Sequence, residues 1–294
     1  MKHIYVIGNG FDIDLGWRTS YKDFYVSKLT GWNVHFGPSD DCLPKYLLDH
    51  AGENWFDLER TIYDYCLAKS KGNLDNDLMN RDYHDYVSIK GQLERFVKER
   101  SNEPVNESSK AYEILKSYLE LISDTDLPPD MRPELISFNY TPLGKVAKQI
   151  NPKVNFKYMP IHGTIDNNSC IFGFHDDIQI KGVYRDIQKS MDDNYNPGRI
   201  MPLLMDAKGI TFFGLSMGFI DAVYFKEVLK AASQPGDYKT RKIMDIEFIT
   251  KDKNSKRDIK KNLQDIGIDF QALSTTNNVT FTLTSDKDAI RTDE

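Results

Sequence analysis

The chain of 294 residues is short of the features that staple or anchor a protein. It has three cysteines, Cys42, Cys66 and Cys170, widely separated and with no CxxC pair. That removes the sequence case for a zinc knuckle or a redox dithiol, and an odd, sparse count fits a reducing compartment. No apolar stretch approaches the roughly 20 residues of a membrane span. Lys2-His3 leads into an apolar run that Gly8 ends, too short for a signal peptide's apolar core. A cytoplasmic protein with no membrane partner is therefore expected. An excess of positive charge is also missing: 38 Lys and Arg stand against 44 Asp and Glu, a net charge of −6. Phosphate backbones need a positive surface, so nucleic acid is not the expected partner. There is no internal repeat, and the only low-complexity stretch is the polar tail from Ser285 to Glu294.

What is present is a globular composition, 40% apolar and 12% aromatic, in a chain long enough to bury a sizeable core without disulfides or metals. His3 to Ile7 runs straight into Gly8-Asn9-Gly10 and reads as a buried first strand feeding a tight turn. Ser20 followed by Asp23 makes a helix-start pattern. Residues from about 31 to 130 show three helical stripes: Trp55, Leu58, Ile62, Tyr63 and Cys66; Tyr86, Ile89, Leu93, Phe96 and Val97; Ile114, Leu115, Tyr118, Leu119 and Ile122. Strand-like runs return at 134–138, 154–158, 170–172, 210–213, 243–249 and 279–283, separated in part by helical stripes at 224–232 and 259–266. The alternation predicts a single α/β domain over residues 1–294, with a doubly wound, mainly parallel sheet and a helical insertion at about 31–130.

Four segments carry candidate chemistry, each at the end of a strand-like run. In Gly8-Asn9-Gly10-Phe11-Asp12, with Gly16 beyond, glycines would let backbone amides approach a phosphate. Ile13 stands where the third glycine of GxGxxG belongs, so a glycine turn needed only for backbone geometry reads equally well. Asn139 could present a donor and an acceptor to a sugar or water, or close a local Asx turn. His162, between Ile161 and Gly163, could act as a base near neutrality or be a structural histidine. In the segment 212–221, Gly214 and Ser216 could bracket a nucleotide, while Asp221 could hold a ribose or cap a helix. Strands that each end in small or polar residues are how a nucleotide cleft is assembled in a doubly wound sheet. Two other groupings read as structural. Asp57 and Glu59 point in different directions on a helix, which leaves Glu59 as a supporting partner, and the basic run from Lys251 to Lys261 includes Asp252 and Asp258 and suits a solvated helix face.

Taken together, Ile7 to Asp12, Gly16, Thr19 to Phe24, Trp55 with Leu58-Glu59, Phe138 to Thr141, Ile161-His162-Gly163, and Gly214 to Asp221 with Tyr224-Phe225 resemble the phage abortive-infection AbiH family, from the first strand to about residue 230. Trp17-Arg18 and Leu215-Ser216-Met217 depart from the family's usual pattern. The family in turn resembles a divergent branch of sirtuin-like NAD-binding proteins. Asn139 and His162 match that group's asparagine and histidine beside the nicotinamide ribose, while Thr141 stands where its aspartate is usual, and the paired CxxC motifs of deacylating sirtuins are absent.

The resemblance implies a sirtuin-like Rossmann variant and an antiphage NAD glycohydrolase that takes NAD as substrate and uses no metal. It places the pyrophosphate over Gly8, Asn9 and Gly10, with Asn139 orienting water, His162 as base and Asp12 on the ribose. Both Asn139 and His162 are expected in a cleft outside the core, so that alanine at either leaves the fold intact. The expected partner is NAD or a related nucleotide, with a phage-derived trigger and self-association as open candidates. The alternatives are a catalytically silent nucleotide sensor and a module that recognises a phage protein. Elemental analysis of chelator-free protein is expected to find no stoichiometric zinc; a full equivalent would restore the deacylase reading.

Overall fold

The computed structural model describes residues 2–29, 41–50, 58–72, 75–167, 169–234 and 243–285. Trp55 and Asp57 lie outside the described residues, as does the tail beyond Ser285. By its internal contacts the chain forms two compact units: Met1–Trp17, Pro104–Ile161 and Asn196–Glu294 in one, Arg18–Glu103 and His162–Tyr195 in the other.

The first unit holds the sheet. Among the described residues six strands, β1 (His3–Ile7), β2 (Glu134–Ser137), β3 (Met159–Pro160), β4 (Gly209–Phe213), β5 (Asp245–Thr250) and β6 (Asn278–Leu283), pair in the order β3-β2-β1-β4-β5-β6. All pairings are parallel. This is the doubly wound order, in which the direction of winding reverses between β1 and β4. On one face Ile7, Leu135, Phe213 and Ile249 share a core with the helices Lys110–Ser123 and Gly144–Ile150. On the other, register partners Phe212, Phe248 and Phe281 stack ring on ring at 5.3 and 5.0 Å. Phe225, just before the helix Lys226–Ser233, and Phe270, the first residue of the helix Phe270–Thr276, close over that ladder. The strict alternation Asn278-Val279-Thr280-Phe281-Thr282 follows from this one-sided burial at the sheet edge.

Two expected strands are not strands. Residues 154–158 alternate correctly, but Val154, Phe156 and Tyr158 pack against the helical side of the core, and the Lys157 carbonyl accepts from the Tyr118 hydroxyl at 3.3 Å instead of entering a ladder. Residues 170–172 belong to the second unit. There the Phe172 carbonyl accepts from the Tyr86 hydroxyl and Phe172 stacks on Tyr86 at 5.8 Å, so a side chain takes the place of a strand partner.

The second unit is built from helices, chiefly Leu43–His50, Leu58–Lys71 and Asn76–Arg100. The expected insertion is thus divided: residues 18–103 build this unit with 162–195, whereas Lys110–Ser123 packs with the sheet. Ser20 caps the short helix Tyr21–Phe24 as its spacing from Asp23 suggests. Asp82 is wholly buried on the apolar stripe of Asn76–Arg100 and accepts from the hydroxyls of Tyr65 (2.8 Å) and Tyr184 (2.7 Å) and from Leu43 N (3.1 Å). Cys42, Cys66 and Cys170 are buried free thiols, and burial pushes each upward in pKa. Among the described residues no helix is long and apolar enough to cross a membrane.

Of the basic run, Lys256 and Lys260 sit over the rings of Phe281 and Phe270, each at 4.7 Å, on the helix Lys253–Asp265. Those two charges lie against the protein's own aromatic surface.

The glycines at the reversal are steric requirements. A Cβ on Gly10 would fall 2.5 Å from Gly214 Cα, and Gly214 has φ +67 with its own hypothetical Cβ 2.3 Å from Phe11 N. Gly91, inside Asn76–Arg100, has nothing within 4 Å. Gly10→Ala and Gly214→Ala are therefore expected to lose ~2 kcal/mol or more in denaturant unfolding, and Gly91→Ala to gain ~0.5–1 kcal/mol. Equal effects at all three positions would contradict this packing.

Candidate functional site

In a doubly wound sheet the chain segments leaving the strands on either side of the reversal diverge, and ligands bind at those carboxyl ends. Here the two segments are Gly8-Asn9-Gly10 after β1 and Gly214-Leu215-Ser216 after β4. They are joined by backbone: Gly8 N donates to Phe213 O and Gly10 N to Gly214 O, both at 2.9 Å, while Phe11 N donates back to Gly8 O. The amides expected to cradle a pyrophosphate at Gly8 and Gly10 are thus engaged within the protein. Phe11, wholly buried edge to face with Phe213 at 5.1 Å, serves packing.

The helix Asn9–Asp14 starts directly on Gly8 and turns Asp12 inward, where 1% of it is exposed. The turn after β2 brings Asn139 and Thr141 to it. Asn139 Nδ2 donates to Asp12 Oδ1 and to Gly8 O, each at 2.9 Å, and Thr141 Oγ1 donates to Asp12 Oδ2 at 2.7 Å. Asn139 therefore does not close a local Asx turn. The local hydrogen bond is made by Ser137 Oγ, which accepts from Asn139 N at 3.1 Å. Because Gly8 O can only accept, it dictates which end of the Asn139 amide faces inward. Asn139 Oδ1 makes no hydrogen bond among the described residues, although the residue is only 5% exposed. Burial raises the Asp12 carboxyl to about 7, against the pull of the Thr141 and Asn139 hydrogen bonds.

The remaining expected contacts in this unit are more peripheral. Ser216 is exposed; its hydroxyl accepts from Gly218 N at 3.3 Å and its carbonyl from Asn262 Nδ2 at 2.7 Å. Asp221 lies in the first turn of Phe219–Ala222, whose N-cap is Gly218, so it does not cap that helix. Between them Met217 is wholly buried with φ 56, a left-handed conformation uncommon for a residue with a side chain.

His162 belongs to the other unit. It is 4% exposed, and its Nε2 is 3.0 Å from Lys189 Nζ, which also pairs with Glu59 Oε2 at 2.9 Å. Lys189 has no exposed side-chain surface, and Glu59 Oε1 accepts from Gly173 N at 3.4 Å. An ammonium can only donate, so Nε2 is the acceptor and the neutral ring carries its proton on Nδ1. Gly163 follows at φ +69, where a Cβ would meet Ser169 O at 1.8 Å.

Sequence reasoning singled out Asn139, Asp12 and His162 as candidates and Glu59 as a supporting partner, all of which lie in buried polar clusters, and missed Thr141 as a partner, Lys189 and Asp82. Asp82 carried a readable signal, since it interrupts the stripe Met79, Tyr86, Ile89, Leu93 with a charge. Lys189 carried none: its 3-10 turn, Lys189–Met191, has no amphipathic pattern. The expectation that alanine at Asn139 or His162 would leave the fold undisturbed is corrected. Both side chains are buried and hydrogen-bonded, and removing either strips a buried charged group of a partner.

The raised Asp12 carboxyl carries a consequence for stability. Between the ordinary value of 3.8 and about 7 the folded protein holds a proton that the unfolded chain has released. Stability from this group therefore falls as pH rises through that window, by up to ~1.4 kcal/mol per pH unit, and levels off above it. Melting temperatures across the window are expected to drop more steeply for the wild type than for Asp12→Asn. A constant difference between the two would show that Asp12 titrates normally.

The family model for bacteriophage abortive infection AbiH matches residues 4–240. No curated protein matches the chain. The matched range begins within β1 and takes in the Asp12–Asn139–Thr141 cluster, the His162–Lys189–Glu59 cluster and the turn after β4. Matched over well more than half its length, the chain belongs to the AbiH family of bacteriophage abortive infection proteins.

Proposed function

We propose that this protein acts in abortive infection as an NAD glycohydrolase, with its ligand site where the winding of the sheet reverses. The observation that carries this reading is the buried cluster of Asp12, Asn139 and Thr141 at the strand ends. It offers hydrogen-bond acceptors, Asn139 Oδ1 first among them, and acceptors suit a ribose hydroxyl or the attacking water. Phosphate oxygens need donors. With the Gly8 and Gly10 amides engaged, the pyrophosphate is assigned to the exposed hydroxyl of Ser216 on the neighbouring turn.

In the reaction the bond between the nicotinamide ring nitrogen and ribose C1′ breaks, its electron pair staying with the ring. Water adds its oxygen to C1′ and releases a proton, giving nicotinamide and ADP-ribose. A pyridinium is already a cationic leaving group, so the need is for orientation of water and for stabilising positive charge on the sugar, not for an acid. The base role for His162 rests on the resemblance to sirtuin-like proteins and requires that its hydrogen bond from Lys189 open. That same bond supports a second reading, a nucleotide sensor without turnover, in which Nε2 stays occupied.

The test is NAD content in host cells before and after phage challenge, comparing wild type with Asn139→Asp and His162→Gln, variants chosen to preserve volume. Wild type is expected to deplete NAD, and each variant to lose about a hundredfold or more in rate. Protection from phage with unchanged NAD would overturn the hydrolase reading in favour of the sensor. Equal depletion in all three would remove both residues from the chemistry.

A further inference from the structure

We infer that Phe219 is the stacking platform for the adenine base of the bound nucleotide, on the far side of the diphosphate position at Ser216. The inference rests on the reading of the sheet reversal as a nucleotide site. It adds the direction in which the ligand lies, with the nicotinamide ribose toward Asn139 and adenine toward Phe219.

Among the described residues Phe219 is the only phenylalanine, tyrosine or tryptophan that is exposed, at 53%. Elsewhere the chain turns its aromatic rings inward, as in the ladder of Phe212, Phe248 and Phe281. The exception lies on the segment leaving β4, at the carboxyl end of the sheet beside the reversal, where a doubly wound fold binds its ligand. Val223, one helical turn further on, is exposed as well and widens the apolar surface on that side.

The segment that carries the ring is held from below. Met217, Ile220 and Ala222 are buried, which anchors the backbone on its inner side and leaves Ser216 and Phe219 as outward positions. Ser216 O accepts from Asn262 Nδ2 at 2.7 Å, and Gly218 O accepts from Ala222 N at 2.9 Å. Because Ser216 Oγ accepts from Gly218 N at 3.3 Å, its own hydrogen is left to donate to a phosphate oxygen. A purine stacks on a phenylalanine face because both present a π surface and both shed water on contact, and a ring on a fixed backbone loses little freedom in doing so. NAD has a planar ring at each end. With the acceptors of the Asp12, Asn139 and Thr141 cluster given to the ribose that bears nicotinamide, a ligand whose diphosphate reaches Ser216 brings adenine to Phe219.

The test titrates full-length protein with ADP, which carries the adenine half of NAD, and with nicotinamide mononucleotide, which carries the other half. Phe219→Ala is expected to weaken ADP about tenfold or more and to leave the mononucleotide unchanged. Phe219→Leu, which keeps apolar bulk without a ring, should fall well below wild type, and Phe219→Trp should bind ADP at least as tightly as wild type. The added indole emission of Phe219→Trp, read against wild type, should be quenched by ADP and not by the mononucleotide, which decides the matter even if Phe219→Ala folds poorly. In NAD turnover the alanine variant should raise KM with kcat little changed, because the ring lies far from the bond that breaks. ADP affinity that is equal in wild type and Phe219→Ala, or in wild type and Phe219→Leu, overturns the inference while leaving the nucleotide reading in place. Loss of mononucleotide affinity instead of ADP affinity overturns it by reversing the ligand. Loss of phage protection in Phe219→Ala with ADP affinity intact gives the ring to a protein partner and overturns it too. A wild type that binds neither ligand defeats the nucleotide reading and the inference together. ADP binding that depends on Phe219 in a protein that does not consume NAD upholds the inference and defeats the hydrolase.

Discussion

The arrangement at the head of the sheet depends on how closely the turn after β1 approaches the turn after β4. Gly10 and Gly214 meet with no room for a side chain on either, and backbone hydrogen bonds from Gly8 to Phe213 and from Gly10 to Gly214 hold the contact. That contact starts the helix Asn9–Asp14 directly from the strand, with no intervening loop. Two consequences reach the chemistry. Asp12 is carried into the interior instead of out to solvent, and the Gly8 carbonyl is left facing the turn after β2, where Asn139 meets it. A glycine motif that reads as a phosphate cradle thus serves first to press two strand ends together.

The two units solve the problem of buried polar groups in different ways. In the sheet unit an acid sits among neutral donors, so burial is met by a shifted titration and two hydrogen bonds. In the helical unit Lys189 and Glu59 form a buried ion pair that also engages His162, while Asp82 is held by two tyrosine hydroxyls and a backbone amide. Breaking such a pair by removing one partner costs about 3–5 kcal/mol, because the other charge is left stranded. The tyrosines around Asp82 are held protonated by burial and by its carboxylate, so they remain donors across the physiological range. By this measure the polar clusters of the helical unit hold its architecture, while the cluster in the sheet unit has an oxygen to spare.

Much of the fold was legible. β1, β2 and β4 to β6 fall where alternating or continuous apolar runs end in glycine or polar residues, and parallel pairing follows from the helices between them. The failures share a cause. Residues 154–158 and 170–172 have strand-like patterns because they lay alternate or consecutive apolar side chains on helices, and sequence periodicity reports burial, not the partner that receives the backbone hydrogen bonds. The candidate residues were legible as residue types at the ends of strand-like runs, which is how Asp12, Asn139 and His162 were singled out. Their partners were not, because the links from Asn139 to Gly8 and from Lys189 to Glu59 span more than a hundred residues and leave no local pattern. The division into two units cuts across the expected insertion for the same reason: residues 162–195 join the helices only in three dimensions.

The central claim is that the acceptor oxygen of Asn139, held by Gly8 and Asp12, is where this family member meets its nucleotide. The most direct measurement is a calorimetric titration of purified full-length protein with ADP-ribose, comparing wild type with Asn139→Asp, which keeps an oxygen but loses the amide hydrogens that Gly8 and Asp12 accept. The account predicts one binding site in wild type and an affinity at least about tenfold weaker in the variant at neutral pH. Equal affinity in the two proteins, or no binding to either while NAD is still consumed, would contradict it.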